Sequence, residues 1–328
     1  MTTPRFDFHA LSPDLILDAL ADLGLTVDSG LTALNSYENR VYQFRLEDGQ
    51  RAVVKFYRPE RWNATQIQAE HDLAFHLAEE EVAAATPWRI NGRSLHQHAG
   101  YLFAVWPSLG GRALEVDNLD QLAAVGHQLG AWHARVAGYA LPVRGGFRPA
   151  ERLQPALQRL LTTAPWPQAL DGEMRQTLAS LGEALQAPLS QPWHALALHG
   201  DCHPGNLLWR DGPLLVDLDD CCMGPAIQDL WMLLSGDHDE QRLQLDTLLE
   251  GYETFCDFDR RQLALIEPLR ALRMVSWLAW IQQRWTDPAF PRAFPWFDSD
   301  SFWLQQIQLL QGQRRQLDMP ALSLTPWG

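Results

Sequence analysis

The spacing of apolar residues in this 328-residue chain changes once, near Pro107, and this change constrains the fold more than any other feature. Before it, apolar runs of strand length alternate with turn signals, and the runs Asn39–Phe44 and Arg51–Tyr57 predict a hairpin. After it, apolar residues recur every three or four positions, as along residues 122–132, which predicts helices that face a core. We therefore predict an α+β chain whose small sheet-containing part precedes a larger and mostly helical part.

Start signals for helices also lie in the first part. Ser12 followed by Pro13 is typical of a helix N-terminus, because proline at the first helical position gives up no hydrogen bond. Asn63 with Gln66 three positions later has the spacing of a capping box, which predicts one main helix that runs to about Glu80. A helix that directly follows a hairpin is expected to cover one face of its sheet.

Chain length predicts two domains, which we place at residues 1–105 and 106–328. Several Pro and Gly residues between 138 and 167 predict loops or a broken helix in that stretch. The short apolar runs Ala195–Leu198 and Leu214–Leu218 predict buried strands within the otherwise helical second part.

Charge and cysteine content exclude several classes of protein. Lys and Arg total 26 against 40 Asp and Glu, so the net charge of −14 argues against a nucleic-acid or anionic-membrane binder. No apolar stretch is long enough to span a bilayer, and the first ten residues lack the pattern of a signal peptide. Of the four cysteines, Cys221 and Cys222 are adjacent, which is no disulfide framework and fits reduced thiols in a cytoplasmic protein.

One segment carries the polar groups that suggest chemistry. Asp201 and Asn206 lie on the loop that follows the first of the two short runs, and Asp217 comes at the end of the second. Carboxylate and amide oxygens suit Mg²⁺, a hard cation. Phosphoryl transfer needs positioning, neutralised phosphate charge and a proton acceptor. We therefore predict that Asp201 accepts the proton of the acceptor hydroxyl, while Asn206 and Asp217 hold a metal that bridges the phosphates of ATP.

Two further parts of such a site are found upstream. Lys55 lies in the otherwise apolar run Ala52–Phe56, where an unpaired ammonium would be costly to bury. Glu70 lies on the next predicted helix, on the same side as Ile67 and Leu73, and therefore faces inward. We predict that Lys55 and Glu70 form a buried pair, with Lys55 also reaching the α- and β-phosphates of ATP.

These motifs resemble those of the bacterial stress response kinase A family, a relative of aminoglycoside phosphotransferases and choline kinases with a bilobal protein-kinase-like fold. The resemblance is carried by four segments: NSYENRVYQF (35–44), VKFYRPERW (54–62), HGDCHPGN (199–206) and GPAIQDLWMLL (224–234). It implies a cytosolic, monomeric Ser/Thr protein kinase of the stress response that uses ATP and Mg²⁺. It also implies that Asp201 is the proton acceptor, that Asn206 and Asp217 bind Mg²⁺, and that Ser36 touches ATP.

The sequence departs from eukaryotic protein kinases in two places. No glycine-rich G-x-G-x-x-G motif precedes Lys55, so the turn Asn35–Tyr37 would cover the phosphates instead. Only a few residues separate Asp217-Leu-Asp219 from Gly224-Pro225, which leaves no room for a long activation loop. We therefore expect no switching by phosphorylation of such a loop.

Several alternatives stay open at this point. A kinase of choline, aminoglycosides or homoserine would use the same motif, and a catalytically idle nucleotide-binding regulator would keep part of it. Asp219 could assist the metal or brace its loop, and His203 could help the transferred phosphate. The adenine is expected near residues 105–108, and the aromatic stretch 285–296 could line an acceptor groove or pack internally. A zinc or redox site would draw on the following residues: His199, Cys202, His203, Cys221 and Cys222.

Overall fold

The computed structural model describes residues 7–324 and divides the chain into two compact units. The first unit takes the chain up to Glu115 together with Leu141–Gly145 and Pro204–Cys221, and the second takes the remainder. The predicted lobes divide the chain at a single point, whereas each unit joins three segments, so the lobe boundary at residues 105 and 106 stays a prediction. Part of the segment in which we looked for a signal peptide, residues 1–6, lies outside the described residues. Within 7–324 no helix is long and apolar enough to cross a membrane.

Antiparallel strands dominate the first unit. The strands of this unit are β1 Thr32–Ala33, β2 Arg40–Arg45, β3 Arg51–Phe56, β4 His96–His98, β5 Tyr101–Pro107, β6 Arg112–Ala113, β8 Leu207–Trp209 and β9 Pro213–Leu215. They form a five-stranded sheet of order β1-β2-β3-β5-β4 and a three-stranded sheet of order β6-β8-β9. Its helices are α1 Pro13–Ala21 and α2 Ala64–Glu79. The predicted hairpin is the β2–β3 pair, in which Val41 lies opposite Lys55.

Helices make up most of the second unit, which also contains the two-stranded ladder of β7 Leu196–Leu198 and β10 Cys222–Gly224. Its helices are α3 Leu119–Arg135, α4 Pro149–Thr163, α5 Asp171–Leu189, α6 His238–Tyr252, α7 Ile266–Arg284, α8 Ala289–Ala293 and α9 Asp300–Gln316. The predicted α+β class, with a small sheet-containing part and a mostly helical remainder, is confirmed.

Strand β3 separates core from site because successive side chains point to opposite faces of a sheet. Ala52, Val54 and Phe56 are fully buried in a core cluster that also contains residues of α1. Val53 and Lys55 point to the other face, which lines a cavity. The predicted capping box of α2 is present, with Asn63 and Gln66 each accepting from the other's backbone N–H. One face of β3 thus packs in the core, and the other lines the cavity.

Helices α3 and α6 cross with their backbones in contact. A Cβ atom added to Gly126 would lie 2.0 Å from the carbonyl oxygen of Leu248, and one added to Gly130 would lie 2.3 Å from that of Tyr252. Glycine is therefore required at both positions, since any side chain would push the helices apart.

Two predictions of local structure need correction. Residues 139–148 lie outside any helix, as the predicted loops require, but residues 149–163 form the unbroken helix α4, because Pro149 lies at its first turn, where no backbone N–H is needed for helical hydrogen bonding. Asp217 does not end a strand: β9 stops at Leu215, and Asp217 has a left-handed backbone with φ of 62°. The second difference matters for the site, because a left-handed non-glycine residue needs strong support from its surroundings.

Candidate active site

A cavity of about 290 Å³ lies within the first unit, and five predicted site residues line it. These five are Ser36, Lys55, Glu70, Asn206 and Asp217. The turn before β2, the inner face of β3, helix α2 and the segments on either side of the β8–β9 hairpin each contribute. Segments far apart in sequence therefore meet around one space.

Lys55 is the cation at the centre of the cavity wall, with 7% of its surface exposed. Its Nζ atom lies 3.3 Å from Oε1 of Glu70, 3.0 Å from Oδ1 of Asp217 and 3.3 Å from Oδ1 of Asp219. Burial alone would lower the pKa of Lys55, but the charges of Asp217, Asp219 and Glu70 hold it well above its usual value. Lys55 is therefore charged, and three carboxylates share that charge.

Glu70 is 3% exposed on α2, as its predicted inward position requires. Burial raises the pKa of Glu70 to about 7, against the opposing effect of the Lys55 ammonium. Beside it, His71 contacts the Tyr57 hydroxyl through Nε2 at 2.8 Å and Ser94 Oγ through Nδ1 at 2.9 Å. Burial lowers the pKa of His71 to about 3, so its imidazole is neutral at physiological pH.

Asp219 braces the loop and does not face the cavity. It is 3% exposed, and its Oδ2 atom accepts hydrogen bonds from Arg61 at 2.5 Å and from the side chain of Asn39 at 3.2 Å. The other end of the Arg61 guanidinium donates to Asp220 at 2.8 Å. Together with the ion pair to Lys55, these bonds occupy the carboxylate from several sides. Of the two alternatives for Asp219, the bracing role fits this geometry.

Arg144, which is 6% exposed, contacts the backbone of the same loop. It donates to the backbone carbonyls of Asp219 and, at 3.1 Å, of Cys221, while its guanidinium lies 4.0 Å from the ring centroid of Trp62. A charged donor on backbone carbonyls restrains the chain itself. The left-handed conformation of Asp217 is held by these contacts on the residues that follow it.

The donor set at the cavity fits a hard divalent cation. Asp217 supplies a carboxylate whose side chain is 50% exposed although Lys55 pairs with it, and Asn206 supplies an amide oxygen on the same wall. Two protein oxygens suit a metal whose remaining ligands are water and phosphate. A zinc site is not supported, because residues 7–324 contain no cluster of three or more His, Cys, Asp or Glu side chains able to hold a metal.

The remaining predicted residue, Asp201, belongs to the second unit. Its Oδ1 atom lies 2.5 Å from Nη1 of Arg273 on α7, and its Oδ2 atom lies 3.5 Å from Nε2 of His203. Burial alone would raise the pKa of Asp201, but the hydrogen bond with His203 and the charge of Arg273 lower it well below its usual value. The carboxylate is therefore ionised under all physiological conditions.

The loop that carries Asp201 is fixed by the fully buried Asp229. Its two carboxylate oxygens accept hydrogen bonds from the backbone N–H groups of His199 and Gly200, each at 2.8 Å. His133 on α3 contacts Asp229 through Nε2 at 3.2 Å and the Tyr252 hydroxyl on α6 through Nδ1 at 2.8 Å. Helices α3 and α6 thereby hold the loop backbone through two side chains.

Four of these residues were not found from the sequence. Arg61 lies inside one of the segments that carry the family resemblance, so its position held a signal. Arg273 directly precedes the apolar run 274–281, and a charged residue at such a border is worth examining. For Arg144 and His133 no local signal exists, because their partners lie 75 or more residues away in the chain.

Comparison with known proteins bears on the family. The family model for the phosphotransferase enzyme family matches residues 30–266. The chain is 49% identical over 326 residues to stress response kinase A of Escherichia coli O157:H7, which covers 99% of both chains. It is 48% identical, with the same coverage, to the serine/threonine protein kinase RdoA of Salmonella typhimurium strain LT2.

The chain belongs to the stress response kinase A family of phosphotransferases. The prediction of an ATP-dependent kinase is thereby confirmed.

Solved structures show the fold of this kinase. Amicoumacin kinase hAmiN, solved in complex with AMP-PNP, Ca²⁺ and Ami, matches with a TM-score of 0.70 at 21% identity, over 97% of this chain and 96% of its own. A microcompartment-associated aminopropanol kinase matches with a TM-score of 0.64 at 19% identity, over 96% of this chain and 100% of its own. The predicted kinase-like fold is therefore confirmed.

Proposed function

We propose that this kinase transfers the γ-phosphate of ATP to a Ser or Thr hydroxyl of a protein, with Mg²⁺ as the metal. We also propose that it acts in the cytoplasm as a monomer, in the response to oxidative or envelope stress. The protein acceptor is supported by a relative named serine/threonine protein kinase RdoA, which is 48% identical over 326 residues. The single observation that carries the phosphotransfer site is the shared cavity of Ser36, Lys55, Glu70, Asn206 and Asp217.

The nucleotide is proposed to lie in this cavity. Lys55 would contact the α- and β-phosphates, for which its charge and its position between Glu70 and Asp217 are suitable. Glu70 would orient Lys55, and Ser36 would contact the phosphates from the turn before β2. Trp106, Pro107 and Leu109 also line the cavity, which supports adenine binding at the end of β5. Residues 1–105 would then form the nucleotide-covering lobe and residues 106–328 the catalytic lobe.

Asn206 and Asp217 are the residues that would hold Mg²⁺. When bound, the metal neutralises phosphate charge as the transition state forms. The protein's own contribution is to keep two oxygen ligands on one wall, and the contacts of Asp219 with Arg61 and Lys55 preserve that position.

Asp201 is proposed to orient the acceptor hydroxyl and to take its proton. The hydroxyl oxygen would form a bond to the γ-phosphorus, the bond from that phosphorus to the β,γ-bridging oxygen would break, and ADP would leave. An ionised carboxylate is the correct form for this task, and the charge of Arg273 keeps it so.

Transfer to a small molecule is the second candidate function. It is favoured by the structural likeness to an amicoumacin kinase and an aminopropanol kinase, both named for small acceptors. A choline, aminoglycoside or homoserine acceptor would use the same cavity and the same carboxylate, so only the acceptor separates the two proposals.

Exchange of Asp201 for Asn tests the proposed function. Because Asp201→Asn keeps the shape but removes the proton acceptor, turnover should fall by about 10²- to 10⁴-fold while nucleotide affinity is retained. The measurement is ³²P transfer from ATP to lysate proteins and, separately, to choline, kanamycin and homoserine, together with a fluorescent-nucleotide titration. Asp246→Ala, at an exposed position on α6, is the control. An equal loss of turnover and of nucleotide binding would contradict the role of Asp201, and an absence of ATP turnover in the natural protein would indicate the idle regulator.

A further inference from the structure

The guanidinium of Arg273 lies next to the Asp201 carboxylate and has donors beyond the one that this contact uses. Arg273 donates a hydrogen bond from Nη1 to Oδ1 of Asp201. A guanidinium carries five N–H donors, and the side chain of Arg273 is 44% exposed. The guanidinium is therefore partly open to solvent beside the carboxylate that is proposed to bind the acceptor hydroxyl.

The charge around Asp201 is unsuited to a cationic acceptor. Nη1 of Arg273 lies 2.5 Å from Oδ1 of Asp201, and Nε2 of His203 lies 3.5 Å from Oδ2. The Arg273 guanidinium repels an ammonium placed beside the carboxylate, whereas a planar guanidinium binds carboxylate or phosphate groups through paired hydrogen bonds. Helix α7 carries three arginines against one glutamate, so it is locally basic in a chain whose net charge is −14.

An exposed aromatic pair extends the same helix face. Trp277 follows Arg273 by four residues on α7, which places both on one face about 6 Å apart along the axis. The ring of Trp277 stacks on that of Trp296 with centroids 5.8 Å apart, and the two residues are 36% and 38% exposed. Within the stretch 285–296 the rings of Phe290 and Phe294 are buried, whereas Trp296 is exposed, so the stretch packs internally through two aromatic rings and presents one apolar edge.

We propose that Arg273 selects the acceptor by binding an acidic side chain that flanks the Ser or Thr, while the Trp277–Trp296 pair supports an apolar side chain farther along the same peptide. This inference rests on the proposed protein acceptor and narrows it to one class of sequence. In an extended peptide about 6 Å corresponds to two residues, and side chains two apart point the same way. The apolar residue is therefore expected about two positions beyond the acidic one.

A positional peptide array tests this selection. Each peptide has one Ser or Thr, and each flanking position is set in turn to Asp, Glu, Lys, Arg, Leu or Phe, with MgATP as donor. At one position within two residues of the acceptor, Asp or Glu should give about tenfold higher kcat/KM than Lys or Arg, as a charge-assisted contact allows. Arg273→Gln should reduce this ratio to about one, and Arg273→Glu should reverse it. Trp277→Ala should raise KM for the Leu and Phe peptides without changing kcat.

The ratio of kcat/KM for acidic over basic peptides shows whether Arg273 selects the acceptor or only supports Asp201. If Arg273→Gln slows all peptides equally and leaves the acidic-to-basic ratio unchanged, the arginine acts on Asp201 alone and the inference is wrong. Arg261→Gln removes an exposed, paired arginine of the same unit and should leave the ratio at its natural value. Transfer to choline, kanamycin or aminopropanol with no transfer to any peptide would instead overturn the proposed protein acceptor.

Discussion

Two buried charge clusters, one in each unit, are built in opposite ways. Around Lys55 in the first unit, one cation is shared by the carboxylates of Glu70, Asp217 and Asp219 beside a cavity. Charge in this cluster can change partners when an anionic ligand enters, since a phosphate can replace a carboxylate on the lysine.

Around Asp229 in the second unit, one carboxylate is shared by two backbone N–H groups and by His133. The N–H groups of His199 and Gly200 belong to the loop backbone itself, so this carboxylate fixes the shape of the loop. Substitutions in the first cluster should therefore change ligand binding, and substitutions in the second should change folding stability.

The largest effect is expected from Asp229→Ala. Removal of the carboxylate leaves the N–H groups of His199 and Gly200 and the imidazole of His133 buried without their acceptor. The free energy of unfolding should fall by about 3–5 kcal/mol, as when one partner of a buried pair is removed. Urea denaturation measures it, and Asp246→Ala on the exposed side of α6 should change it by about 0.5 kcal/mol or less. A loss as small as that of the control would remove the distinction between the clusters.

An effect on ligand binding is expected from Arg61→Gln in the first unit. Arg61 holds Asp219 and Asp220, which follow the proposed metal ligand Asp217. Loss of such an outer partner should reduce the gain in nucleotide affinity that Mg²⁺ provides by about tenfold, and leave affinity in EDTA nearly unchanged.

Fluorescent-nucleotide titrations with Mg²⁺ and with EDTA measure this difference. Arg45→Gln, which removes an exposed arginine paired with Asp28 in the same unit, is the matched control. Equal losses under both conditions would mean that Arg61 supports the fold in general and not the position of Asp217.

The smallest effect concerns pH. The folded pKa of His71 is about 3, whereas an unfolded histidine titrates near 6.5. Between these values the unfolded chain binds a proton that the folded chain does not, so acidification below pH 6.5 favours unfolding by up to about 1.4 kcal/mol per pH unit.

His71→Gln removes this contribution, so its unfolding free energy should decline less steeply between pH 6.5 and 5.5. Urea denaturation at the two pH values measures the decline. Exchange of the exposed His238 for Gln should keep the natural slope. Identical slopes in all three proteins would show that His71 accepts a proton in the folded state.

Sequence patterns were sufficient where the determining contacts are local or where a residue type is costly in its setting. The capping box at Asn63 and the lysine in an apolar strand are of this kind, and both lie as predicted. The inward position of Glu70 followed from helical spacing, and its burial agrees with that prediction.

Contacts chosen by the tertiary fold were out of reach. Arg144 meets the carbonyls after Asp217 from a loop some 75 residues away, and neither segment signals the other. The left-handed conformation of Asp217 was missed for the same reason. A short apolar run predicts a strand, and the tertiary contacts that end this strand early are not visible in the sequence. Helix α4 shows a different limit of sequence-based prediction. We counted the prolines of the stretch as helix breakers, although Pro149 lies at the first helical position, where proline is favourable.

The contact between helices α3 and α6 has a consequence for the chemistry. Because Gly126 and Gly130 bring the two backbones together, the Tyr252 hydroxyl on one helix reaches His133 on the other. Two residues with no side chain thus set how far the loop of Asp201 lies from the helices that hold it. A single methyl group at either glycine would shift the hydrogen bonds that run from Tyr252 through His133 and Asp229 to that loop.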